Sequence, residues 1–141
     1  MNRDEPSLPA AFRYRVYWED TDAGGVVYHA RYLHFLERAR SDWLSALGIV
    51  QTALRDEHGI VFAVTRADIR FIRPARLEDE LAVSVRVQRP GRARLDFSQT
   101  IERGGERLAE ASIGAACVDA HAFRPRRMPP AVLAAVAAAA D

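Results

Sequence analysis

Residues 12–47 read FRYRVYWEDTDAGGVVYHARYLHFLERARSDWLSAL, and the change of period inside this stretch decides the fold. From Phe12 to Trp18, aromatic and aliphatic residues alternate with arginine, the two-residue period of a half-buried strand. The segment Glu19-Asp20-Thr21-Asp22-Ala23-Gly24-Gly25 is rich in turn formers and must end that strand. From about residue 28 to residue 47 the period becomes helical: Tyr32, Phe35, Leu36, Ala39, Trp43, Ala46 and Leu47 share one side. His34, Arg38, Ser41, Asp42 and Ser45 fall on the other, and Gly48 suits the C-terminal stop.

Working outward, residues 51–58 add a short helical piece before Gly59, and residues 60–72 are β-rich up to Arg73-Pro74. Leu81, Val83, Val85 and Val87 alternate with polar or small residues, Pro90-Gly91 makes a turn, and Leu95, Phe97, Gln99 and Ile101 alternate again. Gly104-Gly105 is a hairpin signal, after which residues 108–118 form a last strand rich in small residues. The order is one strand, one long helix and a meander of about four strands. That is an α+β layout with a helix on one face of an antiparallel sheet. Residues 1–10 read as a flexible arm, 11–128 as the folded domain, and 129–141 as an Ala-rich tail with the makings of a frayed helix.

A chain of 141 residues and 15.7 kDa can bury one real core. Its formal net charge of +1 provides no global field for nucleic acid or anionic membrane. The single cysteine, Cys117, excludes an intrachain disulfide and a multi-cysteine metal site. No apolar run has the length of a signal-peptide core or a membrane span, so the cytoplasm is the default compartment.

The chemistry concentrates between Glu19 and Tyr32. A carboxylate, Asp22, sits in a tight loop ahead of a helix, with glycines that allow close backbone approach by a ligand. The helix start near His29 offers unpaired N–H groups and a positive dipole end, the means of stabilising the oxyanion formed when a thioester carbonyl is attacked. Histidine is the side chain that titrates near neutrality, which makes His29 a second candidate. Gly25 and Tyr28 join them as candidate substrate-binding residues. A plainer alternative stands beside this one: Asp20 and Asp22 as turn and helix-capping residues, His29 as a surface residue, and Tyr28, Tyr32, Phe35 and Trp43 as core. Asp20-Thr21-Asp22 lacks the further oxygen ligands and closing glutamate of an EF-hand loop, so no metal is expected, and no cofactor is called for.

The stretch RVYWEDTDAGGVVYHARYLHFLERAR, Arg15 to Arg40, strongly resembles the YbgC-like acyl-CoA thioesterases, relatives of 4-hydroxybenzoyl-CoA thioesterase. The pattern D-x-D-x-x-G-V-V-Y-H-x-x-Y followed by F-x-E-x-A-R is long and specific. The resemblance continues weakly through Phe71–Leu77 and Cys117-Val118-Asp119. It implies a hotdog fold, a long central helix wrapped by a curved antiparallel sheet, in a homodimer or homotetramer with active sites at the dimer interface. It places the family's catalytic aspartate on Asp22, and both its histidine and its carbonyl-polarising amide on His29. One position departs: Trp18 stands where related sequences often carry tyrosine.

The activity implied is hydrolysis of short-chain or aromatic acyl-CoA to the free acid and CoA. Asp22 acts either as a base on water or as a nucleophile giving a mixed anhydride. Arg89, Arg92 and Arg94 flank the Pro90-Gly91 turn and are candidate contacts for the CoA phosphates. An acyl carrier protein is a further candidate partner. The alternative is an acyl-carrier or acyl-CoA binding module, associated with the Tol–Pal envelope system, with little catalysis.

Overall fold

The computed structural model describes residues 11–140; the expected arm at residues 1–10 lies outside them. The strands are β1 (Ala11–Arg15), β2 (Ile60–Phe71), β3 (Glu80–Ser84), β4 (Arg86–Val87), β5 (Arg94–Arg103) and β6 (Glu106–Asp119). The helices are α1 (Arg31–Ala46), α2 (Gln51–His58) and α3 (Pro130–Ala139). All the strands pair antiparallel in one sheet of order β1-β3-β5-β6-β2, with β4 also on β5.

Alternation along β5 and β6 builds the inner face. Leu95, Phe97, Gln99 and Ile101 on one strand and Ala109, Ala111, Ile113, Ala115 and Cys117 on the other are buried. The α1 stripe Tyr32, Phe35, Leu36, Ala39, Trp43 and Leu44 closes over them, with Trp43 edge-on to Phe97 at 5.7 Å. This is the helix-on-sheet arrangement of the hotdog fold. The expected glycine punctuation holds. Gly48 and Gly59 follow the helices at φ +81° and +67°. Gly104 and Gly105, both at positive φ, join β5 to β6 between the paired Arg103 and Glu106.

Three details depart from the sequence reading. The last four strands are not a plain meander, because β2 pairs with β6 at one end of the sheet while β1 pairs with β3 at the other. The link through Arg73-Pro74 therefore crosses from one end toward the other. The strand expected over residues 81–87 is interrupted at Val85. There the buried Gln99 side-chain amide donates to the Ser84 carbonyl at 3.2 Å, replacing a ladder bond. The helical part of the Ala-rich tail buries Val132 and Val136. Among the described residues no helix is long and apolar enough to cross a membrane.

Candidate active site

The loop between β1 and α1 is a tight hairpin of its own. Thr21 bridges Val27, and Val26 bridges Arg76 in the link between β2 and β3. The Asp22 N–H donates to the Val26 carbonyl at 2.9 Å, and the Asp22 carbonyl accepts from the Gly25 N–H at 3.1 Å. Gly25 sits at φ +78°, a conformation that favours glycine. The Asp22 carboxylate turns back on the loop and accepts the Gly24 N–H on Oδ1 at 2.7 Å. The residue is exposed, and among the described residues it forms no ion pair.

Asp20, two residues earlier, has the opposite environment. It is 3% exposed and accepts the Tyr17 N–H at 2.8 Å, which fixes a single 3-10 turn over Trp18–Asp20. Its other oxygen faces the Arg31 guanidinium at 3.9 Å. The two carboxylates, whose environments local sequence does not tell apart, are thus a buried scaffold group and a solvent-facing group.

The helix start is anchored residue by residue until His29. The Val27 N–H donates to the Ala75 carbonyl at 2.8 Å, and the Tyr28 N–H to the Asp20 carbonyl at 2.9 Å. The Arg31 N–H then donates to the Tyr28 carbonyl at 2.8 Å, whereas the His29 and Ala30 amides engage no acceptor among the described residues. Ala30, the N-cap of α1, has no side-chain oxygen to offer, and the first turn carries no acidic residue. Neither Asp20 nor Asp22 caps α1, so the positive end of a 16-residue helix is left open beside the Asp22 hairpin. The His29 ring packs against Tyr28 at 4.5 Å, and both are exposed. Tyr28 is therefore not core, unlike Tyr32, Phe35 and Trp43. Trp18 is 79% exposed on the 3-10 turn.

The three arginines of the β4–β5 turn separate. Arg94 is held by Asp96, with contacts of 3.1 and 3.2 Å. Arg89 and Arg92 are exposed and make no ion pair among the described residues. A second basic segment, which the sequence reading passed over as an exit, lies against this turn. Pro125 bridges Val118, and the Met128 N–H donates to the Arg92 carbonyl at 2.9 Å. Arg126 is paired with Asp119 at 3.2 Å, while Arg124 and Arg127 are exposed and unpaired among the described residues. The run FRPRRM carried the signal. Its partner turn lies some thirty residues away in sequence and comes alongside only through the β5–β6 register.

The chain belongs to the thioesterase-like superfamily, whose family model matches residues 16–136. It is 43% identical over 125 residues to the acyl-CoA thioesterase YbgC of Haemophilus influenzae, covering 89% of this chain and 92% of that one. It is 34% identical over 108 residues to the 1,4-dihydroxy-2-naphthoyl-CoA hydrolase of Thermosynechococcus vestitus, covering 76% and 74%. The crystal structure of a probable thioesterase from Bartonella henselae superposes with a TM-score of 0.81 at 39% identity, over 84% of this chain and 98% of that one. Within the superfamily the chain is of the YbgC-like kind, a thioester hydrolase.

Proposed function

We propose that this enzyme hydrolyses short-chain or aromatic acyl-CoA to the free acid and CoA, with Asp22 as its reacting carboxylate. What supports the assignment is that the one segment between β1 and α1 holds both an exposed carboxylate with no ion pair among the described residues and the open amides of His29 and Ala30. A thioester carbonyl laid on the His29 amide has its oxygen stabilised as negative charge develops. Asp22 then draws a proton from water that attacks the carbonyl carbon, or attacks that carbon itself to form a mixed anhydride that water opens. In both routes the C–S bond breaks, CoA leaves as thiolate, and one water is consumed. His29 orients the water or the carboxylate, and Gly25 and Tyr28 line the approach.

Arg89 and Arg92, joined by Arg124 and Arg127, are the proposed contacts for the CoA phosphates; Arg94 contributes less because Asp96 already holds it. We also propose that the working unit is a homodimer or homotetramer in the cytoplasm. The 12-residue β2 stands at the end of the sheet, with no strand on its other edge among the described residues, a template for pairing with a second copy.

The direct test is thiol release from a panel of acyl-CoA thioesters. The only cysteine is buried, so the released CoA thiol can be read with a thiol reagent on the folded protein. Asp22-dependent release supports the assignment. Binding of acyl-CoA without release overturns it in favour of a binding module.

A further inference from the structure

Away from the catalytic loop, a cavity of about 70 Å³ lies between α1 and the inner face of the sheet. Its walls are mixed: Leu44, Phe62, Val64, Leu95 and Phe97 form the apolar part, and Glu37, Arg40 and Ser41 of α1 with Gln51 of α2 form the polar part. Arg40 is half-buried, its guanidinium 6.0 Å over the Phe97 ring. Nη1 donates to the Gln99 Oε1 at 2.9 Å. Gln99 is itself locked, its Nε2 donating to the Leu36 and Ser84 carbonyls at 3.1 and 3.2 Å. That is the only hydrogen bond Arg40 makes among the described residues, and no carboxylate comes within ion-pair distance of it. A guanidinium has five N–H donors, and no buried side-chain nitrogen among the described residues lacks a partner, so the donors Arg40 leaves unused stay accessible, where a ligand oxygen can take them. Burial holds its pKa below the usual arginine value, with Glu37 the one nearby charge opposing that shift.

We propose that Arg40 is a specificity residue, selecting acyl groups that carry a hydroxyl oxygen at the end remote from the thioester. The unused donors supply the attraction. The carboxylate of Glu37 at the same cavity disfavours an anionic acyl end and accepts from a neutral hydroxyl. The small volume suits the end of a short acyl group rather than a long chain.

This inference rests on the hydrolase and dimer readings above, and the geometry points to a site shared between copies. Along one helix Arg40 stands roughly 16 Å beyond His29, at 1.5 Å per residue, too far for a short acyl group. Two copies paired antiparallel through β2 remove that gap. Phe71, at the far end of β2, packs on Tyr32 at 5.1 Å. The Tyr32 hydroxyl accepts the Ala75 N–H at 3.0 Å, and the Ala75 carbonyl holds Val27 of the catalytic hairpin. A two-fold pairing about the middle of β2 therefore lays the catalytic end of one copy beside Phe62 and Val64 of the other.

The test compares thioesters in which hydroxyl and methyl replace one another: 3-hydroxybutyryl-CoA with isovaleryl-CoA, and 4-hydroxybenzoyl-CoA with 4-methylbenzoyl-CoA. The ratio of kcat/KM is read within each protein, so a general loss of folded enzyme cancels. The wild type is expected to prefer the hydroxyl member of at least one pair by roughly tenfold or more, the scale of a hydrogen bond to a charged group. Arg40→Met should abolish the preference, and Arg40→Lys should retain part of it. A heterodimer of Asp22→Asn and Arg40→Met protomers has one site with both groups intact and should show the wild-type preference. Asp22-dependent hydrolysis with no hydroxyl preference in the wild type, or a preference that survives in Arg40→Met, overturns the Arg40 assignment and leaves the hydrolase reading standing. No thiol release from any of the four thioesters overturns both.

Discussion

The Asp22 carboxylate is held by the amide of Gly24, two residues on, at 2.7 Å, and Gly24 is the residue that leaves room for it. A Cβ built at Gly24 would stand 3.1 Å from Asp22 Oδ1, closer than such contacts normally come. The loop thus fixes the direction of the carboxylate through a backbone bond and a missing side chain. Gly24→Ala should leave the fold intact, because that position is exposed and its φ lies outside the left-handed region. It should lower kcat about tenfold or more, as a small displacement of a reacting group does. Turnover equal to the wild type, with the same melting temperature, would show that the direction of the carboxylate does not matter.

Asp20 and Asp22 should separate cleanly by what each loses. Asp20 is buried, holds the Tyr17 amide and faces Arg31, so Asp20→Ala removes a part-buried hydrogen bond and leaves a void in its place. The expected cost is roughly 1–3 kcal/mol. At about 2–4 °C per kcal/mol for a chain of this size, that is a visible drop in Tm. Asp22→Ala removes an exposed group and should shift Tm by far less while removing activity. Thermal melts alongside thiol-release assays check both, and equal Tm losses in the two variants would contradict the division of roles.

What the sequence made legible follows from local physics. The helical stripe of α1, the φ-positive glycines at 48, 59, 104 and 105, and the alternation along β5 are properties of neighbouring residues. The density of turn formers and acids between Glu19 and Gly25 likewise made the tight hairpin ahead of α1 legible. Roles set by distant contacts were not legible. The motif resemblance singles out Asp22, but the environments of Asp20 and Asp22 look alike until the fold buries the first beside Arg31 and exposes the second. Arg94 looks like Arg92 until β5 places Asp96 beside it. The sheet order was hidden because β2 pairs with β6, a strand some forty residues later in the chain. The break at Val85 was hidden because Gln99 lies on another strand.

The basic surface should behave as a handle for the remote part of the substrate. Arg92→Ala and Arg127→Ala are expected to raise KM for acyl-CoA severalfold with little change in kcat, because they bind ground and transition states alike. Arg94→Ala should do less, since Asp96 already neutralises it. With an acyl-pantetheine lacking the nucleotide, the KM effects should vanish. Equal losses on both substrates would assign the arginines to the fold rather than to phosphate. The effect should also weaken with added salt, since the contacts are exposed.

The uncovered edge of β2 predicts assembly. Light scattering at micromolar concentration should give a mass of two or four times the 15.7 kDa chain. Activity per chain should fall on dilution below the dissociation constant of the assembly if the site is shared between copies. A stable monomer with full activity would place the whole site within one chain and remove the role proposed for the β2 edge.

The assignment of the reacting carboxylate stands or falls on Asp22→Asn. Asparagine keeps the size of the side chain and an oxygen that can accept the Gly24 amide, so the hairpin and the φ +78° turn at Gly25 should be unchanged. It removes the negative charge and the basic oxygen. Were Asp22 only a turn residue, asparagine would serve nearly as well, since both residues make the same local bonds. As base or nucleophile its loss should lower kcat by roughly two orders of magnitude or more, the scale on which general bases act. Acyl-CoA binding, measured by calorimetry, should persist, because the His29 and Ala30 amides and the basic surface are untouched. Near-normal turnover in Asp22→Asn, with unchanged melting and mass, would refute the catalytic role and return the loop to a purely structural one.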